Sequence, residues 1–164
     1  STLADRGIIN GRSDELFEPN DTVTREEFVK ICVNICGLDS SDKTVVFSDE
    51  VSEEWYTGYL KAAYDSGLVR GRDDGTFGVG EPVSRQDMAV ILYNIIKAHI
   101  DSVKEPQNKF DDAEIISEYA KDAVSCLSEL GIINGTGDNL FSPLDTATRA
   151  EAARMAFGIL EYVK

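Results

Sequence analysis

Apolar residues recur along the chain in three stretches with one helical spacing: Phe28, Ile31, Cys32, Ile35 and Cys36; Met88, Ile91, Leu92, Ile95 and Ile96; Ala152, Met155, Ala156, Ile159 and Leu160. Each set follows i, i+3, i+4, i+7, i+8, the stripe that one face of an α-helix turns toward a core. Full burial of the larger members contributes on the order of 1.5–3 kcal/mol apiece, which makes these stripes the expected core. Two further helices are predicted from about Ser52 to Ser66 and from about Ile116 to Leu130. Each stops at a glycine, Gly67 or Gly131, suited to a left-handed C-terminal cap.

The periodicity is part of a longer repeat. The segment GIINGRSDELFEPNDTVTREEFVKI from Gly7 aligns with GLVRGRDDGTFGVGEPVSRQDMAVI from Gly67 and with GIINGTGDNLFSPLDTATRAEAARM from Gly131. Gly7, Gly67 and Gly131 superpose, as do Gly11, Gly71 and Gly135, then Asp14, Asp74 and Asp138, then Phe17, Phe77 and Phe141. Ahead of the second and third copies lie FSDEVSEEWYTGYLKAAYDSG from Phe47 and FDDAEIISEYAKDAVSCLSELG from Phe110, with Trp55 opposite Tyr119. The matching front half of the first copy would begin about 13 positions before Ser1. The copies are taken as residues 1–38, 39–100 and 101–164, joined by polar connectors. A unit of this size cannot bury a complete core alone, so the three are expected to pack as one all-α module of helix-loop-helix repeats.

Composition narrows the function. The 164 residues carry 30 acidic and 16 basic side chains, a formal charge of −14. Such a field opposes nonspecific binding to nucleic acid or anionic membranes, so an anionic partner must be held locally. No apolar run approaches the roughly 20 residues that span a bilayer, and nothing near Ser1 reads as a signal peptide. The three cysteines are too few and too irregular for a disulfide framework; Cys32 and Cys36 on the apolar stripe, and Cys126 opposite Ala62, read as small core fillers. The turns Asp73-Asp74-Gly75 and Gly137-Asp138-Asn139 lack the alternating ligand spacing of a calcium loop, so neither a metal nor a cofactor is expected. The single histidine, His99, stands beside a connector as a solvated residue. No nucleophile motif, placed carboxylate pair or phosphate loop is present, and the chain does not read as an enzyme.

The chemistry is concentrated just ahead of each striped helix, in Thr24-Arg25-Glu26-Glu27, Ser84-Arg85-Gln86-Asp87 and Thr148-Arg149-Ala150-Glu151. The hydroxyl and the acid three residues later are capping chemistry. The arginine is not, because a cation at the first helical position faces the positive end of the helix dipole, at a cost of about 0.3–1 kcal/mol. Two readings account for it. Helix-start N–H groups and a guanidinium fork together make a receptor for a carboxylate or phosphate. Alternatively, each arginine pairs with one of the chain's own acids. On the first reading, Arg→Ala at 25, 85 and 149 lowers binding and leaves the melting temperature unchanged or higher.

The combined run of F-x-D, Trp, G-I-I-x-G, D-G-x-F and T-R-A-E resembles S-layer homology modules, and the three copies span almost the whole chain. The second copy departs mildly, with Val79 where Pro19 and Pro143 stand and Ser-Arg-Gln-Asp in place of the commoner motif. The resemblance implies a pseudo-threefold bundle with the T-R-A-E helices toward its axis and grooves between neighbouring repeats. It implies noncovalent attachment of a secreted or S-layer protein to peptidoglycan-linked secondary cell-wall polysaccharide, through a pyruvate ketal whose carboxylate is the anion. It also implies an extracellular location at the cell wall, with Arg25, Arg85 and Arg149 as anion-binding residues and Trp55 and Tyr119 as groove aromatics. A protein-interaction or lattice-forming module using the same grooves is the alternative.

Overall fold

The computed structural model describes residues 20–100 and 107–163. The first copy's loop, including Gly7, Gly11, Asp14, Phe17 and Pro19, lies outside the described residues. The elements are α1 (Arg25–Cys36), α2 (Thr57–Asp65), α3 (Arg85–Ile96), α4 (Lys121–Glu129) and α5 (Arg149–Gly158), with short 3-10 turns at Ala113–Ile115 and Glu118–Ala120. Among the described residues there is no strand, only isolated bridges, and the fold is all-α as expected.

Capping places the striped helices where the pattern puts them. Thr24 and Thr148 close full capping boxes with Glu27 and Glu151, whereas Ser84 only accepts from the Asp87 N–H. The stripe of α3 is buried throughout, from Met88 to Ile96. In α1 the buried face is rotated slightly, so that Val29 and Val33 join Phe28 and Cys32 in the core while Ile31 and Ile35 are only half-buried.

The front-half helices begin about five residues later than predicted. Ahead of α2 the chain turns through Glu53 at φ 65°, and the turn is closed by Thr57 Oγ1 donating to Val51 O at 3.1 Å. Ahead of α4 the Ser117 N–H donates to Gln86 Oε1 at 3.0 Å, which holds Ser117 extended and delays the helix. Both helices end as expected, with Gly67 at φ 77° and Gly131 at φ 71°.

The three repeats are closed by a ring of backbone hydrogen bonds ahead of the striped helices. Val23 N–H donates to Ala147 O at 3.1 Å, Ala147 N–H to Val83 O at 3.1 Å, and Val83 N–H to Val23 O at 2.9 Å. A second tier runs in the opposite rotation, with Arg25 N–H on Glu81 O, Arg85 N–H on Asp145 O and Arg149 N–H on Asp21 O. Below this ring α1 packs against α3 and α5, while α2 lies on α1 and α4 on α3. Each front-half helix therefore covers the striped helix of the preceding copy, and no repeat owns a complete core.

The cysteines are free, with Cys32 and Cys126 buried and Cys36 half-buried. Burial pushes all three thiols up from their ordinary range, and in Cys32 the neighbouring Cys36 adds to the shift. His99 is exposed, as expected.

Candidate functional site

A groove of about 750 Å³ opens between the repeats, and all three copies contribute to it. Arg25 comes from the start of α1. The loop Leu68–Asp73, together with Phe77, Asp87 and one face of α3 (Val90, Ile91, Asn94), comes from the second copy, and Tyr119 from the third.

The loop is built by the F-x-D motif of the front half. Phe47 stacks on Phe77 with ring centroids 5.3 Å apart, and Phe110 on Phe141 at 5.4 Å. This stacking explains the second shared glycine: a Cβ on Gly71 would lie 2.4 Å from the Phe47 ring. One Asp49 oxygen accepts the Phe77 N–H at 2.7 Å, and the other accepts those of Gly78 and Val79 at 2.7 and 2.9 Å. Asp112 does the same for Phe141 and Ser142, at 2.9 and 2.7 Å. Burial alone would raise the Asp49 carboxyl, but the N–H groups of Phe77, Val79 and Gly78 outweigh it and hold the carboxyl below its ordinary range.

The helix-start arginines are engaged within the protein. Arg85 is 5% exposed. Its Nε donates to Phe141 O at 2.8 Å, its Nη1 to Glu151 Oε1 at 2.8 Å and its Nη2 to Asn134 O at 3.0 Å, and its guanidinium lies 5.1 Å from the Phe141 ring centroid. Arg25 makes the matching set one repeat earlier. Its Nε donates to Phe77 O at 2.9 Å, its Nη1 pairs with Asp87, and its guanidinium lies 5.0 Å from the Phe77 ring centroid. Each of these two guanidinium groups is therefore paired with the acid two residues after the corresponding arginine of the next copy. The N–H groups of Arg25, Arg85 and Arg149 are taken by the neighbouring carbonyls of the ring, so they are not open to an anion.

The two arginines differ in access. Arg25 lines the large groove. Arg85 borders a much smaller hollow of about 50 Å³ with Ile132, Asn134, Gly135, Glu151, Arg154 and Met155, the counterparts of the first groove's wall at the 64-residue offset. For Arg149, the residues that align with Leu68–Asp73 in the first copy, 8–13, lie outside the described residues.

The aromatics are separated. Tyr119 joins Arg25 in the large groove, where it is 62% exposed, and its hydroxyl donates to Asp87 Oδ1 at 2.7 Å. Partial burial, then the bond to Asp87, pushes the phenol up to about 12. Trp55 stands elsewhere, 47% exposed, edge-on to Tyr56 and with Lys30 Nζ 5.5 Å from its ring centroid. Asp49, Asp112, Arg70, Asn94 and Arg154 were not singled out in the sequence. The recurrence of F-x-D ahead of the second and third copies, at Phe47 and Phe110, was the available signal for the two aspartates.

The S-layer homology domain family matches the chain over residues 1–29, 46–89 and 109–153. An amylopullulanase of Thermoanaerobacterium thermosulfurigenes is 35% identical over 162 residues, which is 97% of this chain and 9% of that protein. The S-layer protein sap of Bacillus anthracis is 32% identical over 153 residues, 93% of this chain and 18% of that protein. Cell surface glycoprotein 1 of Acetivibrio thermocellus is 26% identical over 167 residues, covering 95% of this chain and 7% of that protein. The chain thus spans less than a fifth of the length of each of these relatives.

Proposed function

The chain belongs to the S-layer homology domain family, a surface-anchoring module, and on that premise we propose that it holds a secreted protein on the bacterial cell wall by binding secondary cell-wall polysaccharide through its pyruvate ketals. The module works outside the cell, at the wall or surface layer. Its relatives include an enzyme, an S-layer protein and a cell surface glycoprotein, and what they have in common with this chain is a small part of each. A shared segment inside proteins of such different kinds fits attachment better than catalysis.

The observation that carries the reading is the groove at Arg25. In a chain of formal charge −14, Arg25, Arg70 and Arg72 converge on one hollow that also holds the exposed face of Tyr119. Cations beside an aromatic ring suit a sugar bearing a carboxylate, since the ring packs on the apolar face of the sugar and the guanidinium takes the anion. Several weak sites facing a repeating polymer raise retention through effective concentration without a tight single site. Contacts this exposed are screened, so salt weakens the attachment.

The test is to incubate the purified chain with protein-free cell-wall sacculi before and after removal of the polysaccharide, and separately after removal of its pyruvate. Retention is expected on intact sacculi and lost after either treatment. Retention that ignores both treatments refutes the reading and favours a protein-interaction or lattice-forming module.

A further inference from the structure

With Arg25 and Arg85 committed to Asp87 and Glu151, the cations that remain for a ligand are different ones in the two grooves. In the large groove Arg72 is also committed, gripping Glu81 through two hydrogen bonds of 2.9 and 2.5 Å. Arg70 is exposed and, among the described residues, makes no hydrogen bond or ion pair, and the opposite wall presents Val90. The smaller hollow reverses this. Its loop presents Asn134 at the position of Arg70, and its helix presents Arg154 at the position of Val90. Arg154 is likewise exposed and, among the described residues, without a polar partner.

We infer that Arg70 and Arg154, rather than the helix-start arginines, are the anion-recognising residues of their grooves, and that the two grooves take the carboxylate of an acidic sugar from opposite walls, loop in one and helix in the other. The inference rests on the proposed function and specifies its site. A guanidinium that already donates to a carboxylate and to backbone carbonyls gains little from a second anion, because the new bond replaces existing ones. An unpaired, solvated guanidinium exchanges only water. The helix-start arginines then act as positioning residues, holding the Phe77 and Phe141 loops that shape the groove walls. Asp73, which also lines the large groove and, among the described residues, makes no hydrogen bond or ion pair, opposes an incoming anion there, and its counterpart in the third copy is the uncharged Gly137.

The test is a nuclear magnetic resonance titration of the isotope-labelled chain with the methyl glycoside of pyruvylated N-acetylmannosamine, using the Gly71 and Gly135 amides as separate reporters of the two grooves. Arg70→Gln is expected to weaken the Gly71-reported affinity at least fivefold and to leave the Gly135-reported affinity unchanged. Arg154→Gln should do the reverse, and Asp73→Asn and Asn134→Arg should tighten the first and second grooves respectively. Unaltered amide spectra away from the substituted residue show that the variants keep the fold. If the wild-type chain binds at Gly71 and Arg70→Gln binds there within twofold, this inference is overturned and the wall-anchoring reading stands. If the ketal sugar shifts neither glycine and intact sacculi do not retain the chain, both fall together.

Discussion

Glu151 divides its two carboxylate oxygens between two repeats. Oε2 accepts the Thr148 backbone N–H at 2.9 Å and closes the capping box of α5, while Oε1 accepts from Arg85 Nη1 at 2.8 Å. One side chain thus starts its own helix and clasps the preceding one. Asp87 is a methylene shorter and makes no reciprocal bond to the Ser84 N–H. Its second oxygen is left for the Tyr119 hydroxyl, which brings the third repeat into the groove of the second. The departure of Ser-Arg-Gln-Asp from the commoner motif is therefore what allows three copies to meet at Arg25.

This clasp changes what removing the arginines does. Arg85→Ala deletes three hydrogen bonds and a ring contact from a buried site and leaves Phe141 O, Asn134 O and Glu151 short of a donor. A loss of about 2–3 kcal/mol is expected from chemical denaturation, set by the unsatisfied partners rather than by the ion pair itself. Arg25→Ala, in the more open groove, should lose about 1–2 kcal/mol. The expectation from sequence was a melting temperature unchanged or higher, and an Arg85→Ala protein as stable as the parent would restore it.

Asp49 is expected to control the shape of the large groove. Asn at this position can still accept with one oxygen but would turn an amide toward N–H groups, so Asp49→Asn should cost about 1–3 kcal/mol. The pH dependence has a fixed sign. A carboxyl held below its ordinary value adds stability above that value, near 3.8, and the contribution disappears as pH falls through the lowered one. Acid unfolding of the parent below about pH 4 should therefore be steeper than that of Asp49→Asn. Equal slopes would remove Asp49 from this role.

Gly78 is the floor on which two arginines lie. Its φ is 91°, and a Cβ there would stand 2.8 Å from Arg72 Nη2 and 3.0 Å from Arg25 Cδ. Gly78→Ala should lose about 1–2 kcal/mol from backbone strain alone and should displace both side chains. Its equivalent, Ser142, already holds a side chain at φ 57°, which shows that space and not chain geometry alone excludes one at 78. Crystals of Gly78→Ala with Arg25 and Arg72 unmoved would contradict the assignment.

The thiols should be slow to react. Cys32 is fully enclosed and its thiol is pushed well up by burial and then by Cys36, so the thiolate that attacks a disulfide reagent is scarce. Labelling of Cys32 should wait for unfolding and accelerate with denaturant, with half-buried Cys36 the first to react. Rapid labelling of Cys32 in the native protein would mean that α1 opens locally far more often than its burial suggests.

What could be read from the chain was what lies within a helical turn or two. The stripes of Met88 to Ile96, the hydroxyl and acid of each capping box, and the caps at Gly67 and Gly131 are local, and the structure has them. The acid that captures each arginine was visible only as a capping residue, because it acts on a partner 62 or 66 positions away. Asp49 reaches its loop across 28 to 30 positions, and no spacing rule for a single helix or turn exposes that. The late start of α4 has the same origin, since Gln86 of another repeat claims the Ser117 N–H, whereas that of α2 comes from a local turn through Glu53. The exchange of Arg and Asn between 70 and 134, and of Val and Arg between 90 and 154, was readable from the aligned copies. Its meaning depends on knowing that the helix-start arginines are already occupied.

Tyr119 offers a spectroscopic measure of the three-repeat contact. Its phenol is pushed up to about 12 by partial burial and by donation to Asp87, both of which favour the protonated form in the folded state. The folded protein therefore gains stability from Tyr119 that is fully present below the ordinary phenol value of 10 and is lost as pH rises through about 12. In an ultraviolet titration of the six tyrosines, the difference between the parent and Tyr119→Phe should show one phenol ionising near 12, and Asp87→Asn should bring that step back toward 10. Tyr119→Phe should cost about 0.5–1.5 kcal/mol, because it removes one hydrogen bond to a charged acceptor at a half-open site. A Tyr119 that titrates near 10 in the folded parent would mean that its hydroxyl is not held by Asp87, and the large groove would then lack the wall contributed by the third repeat.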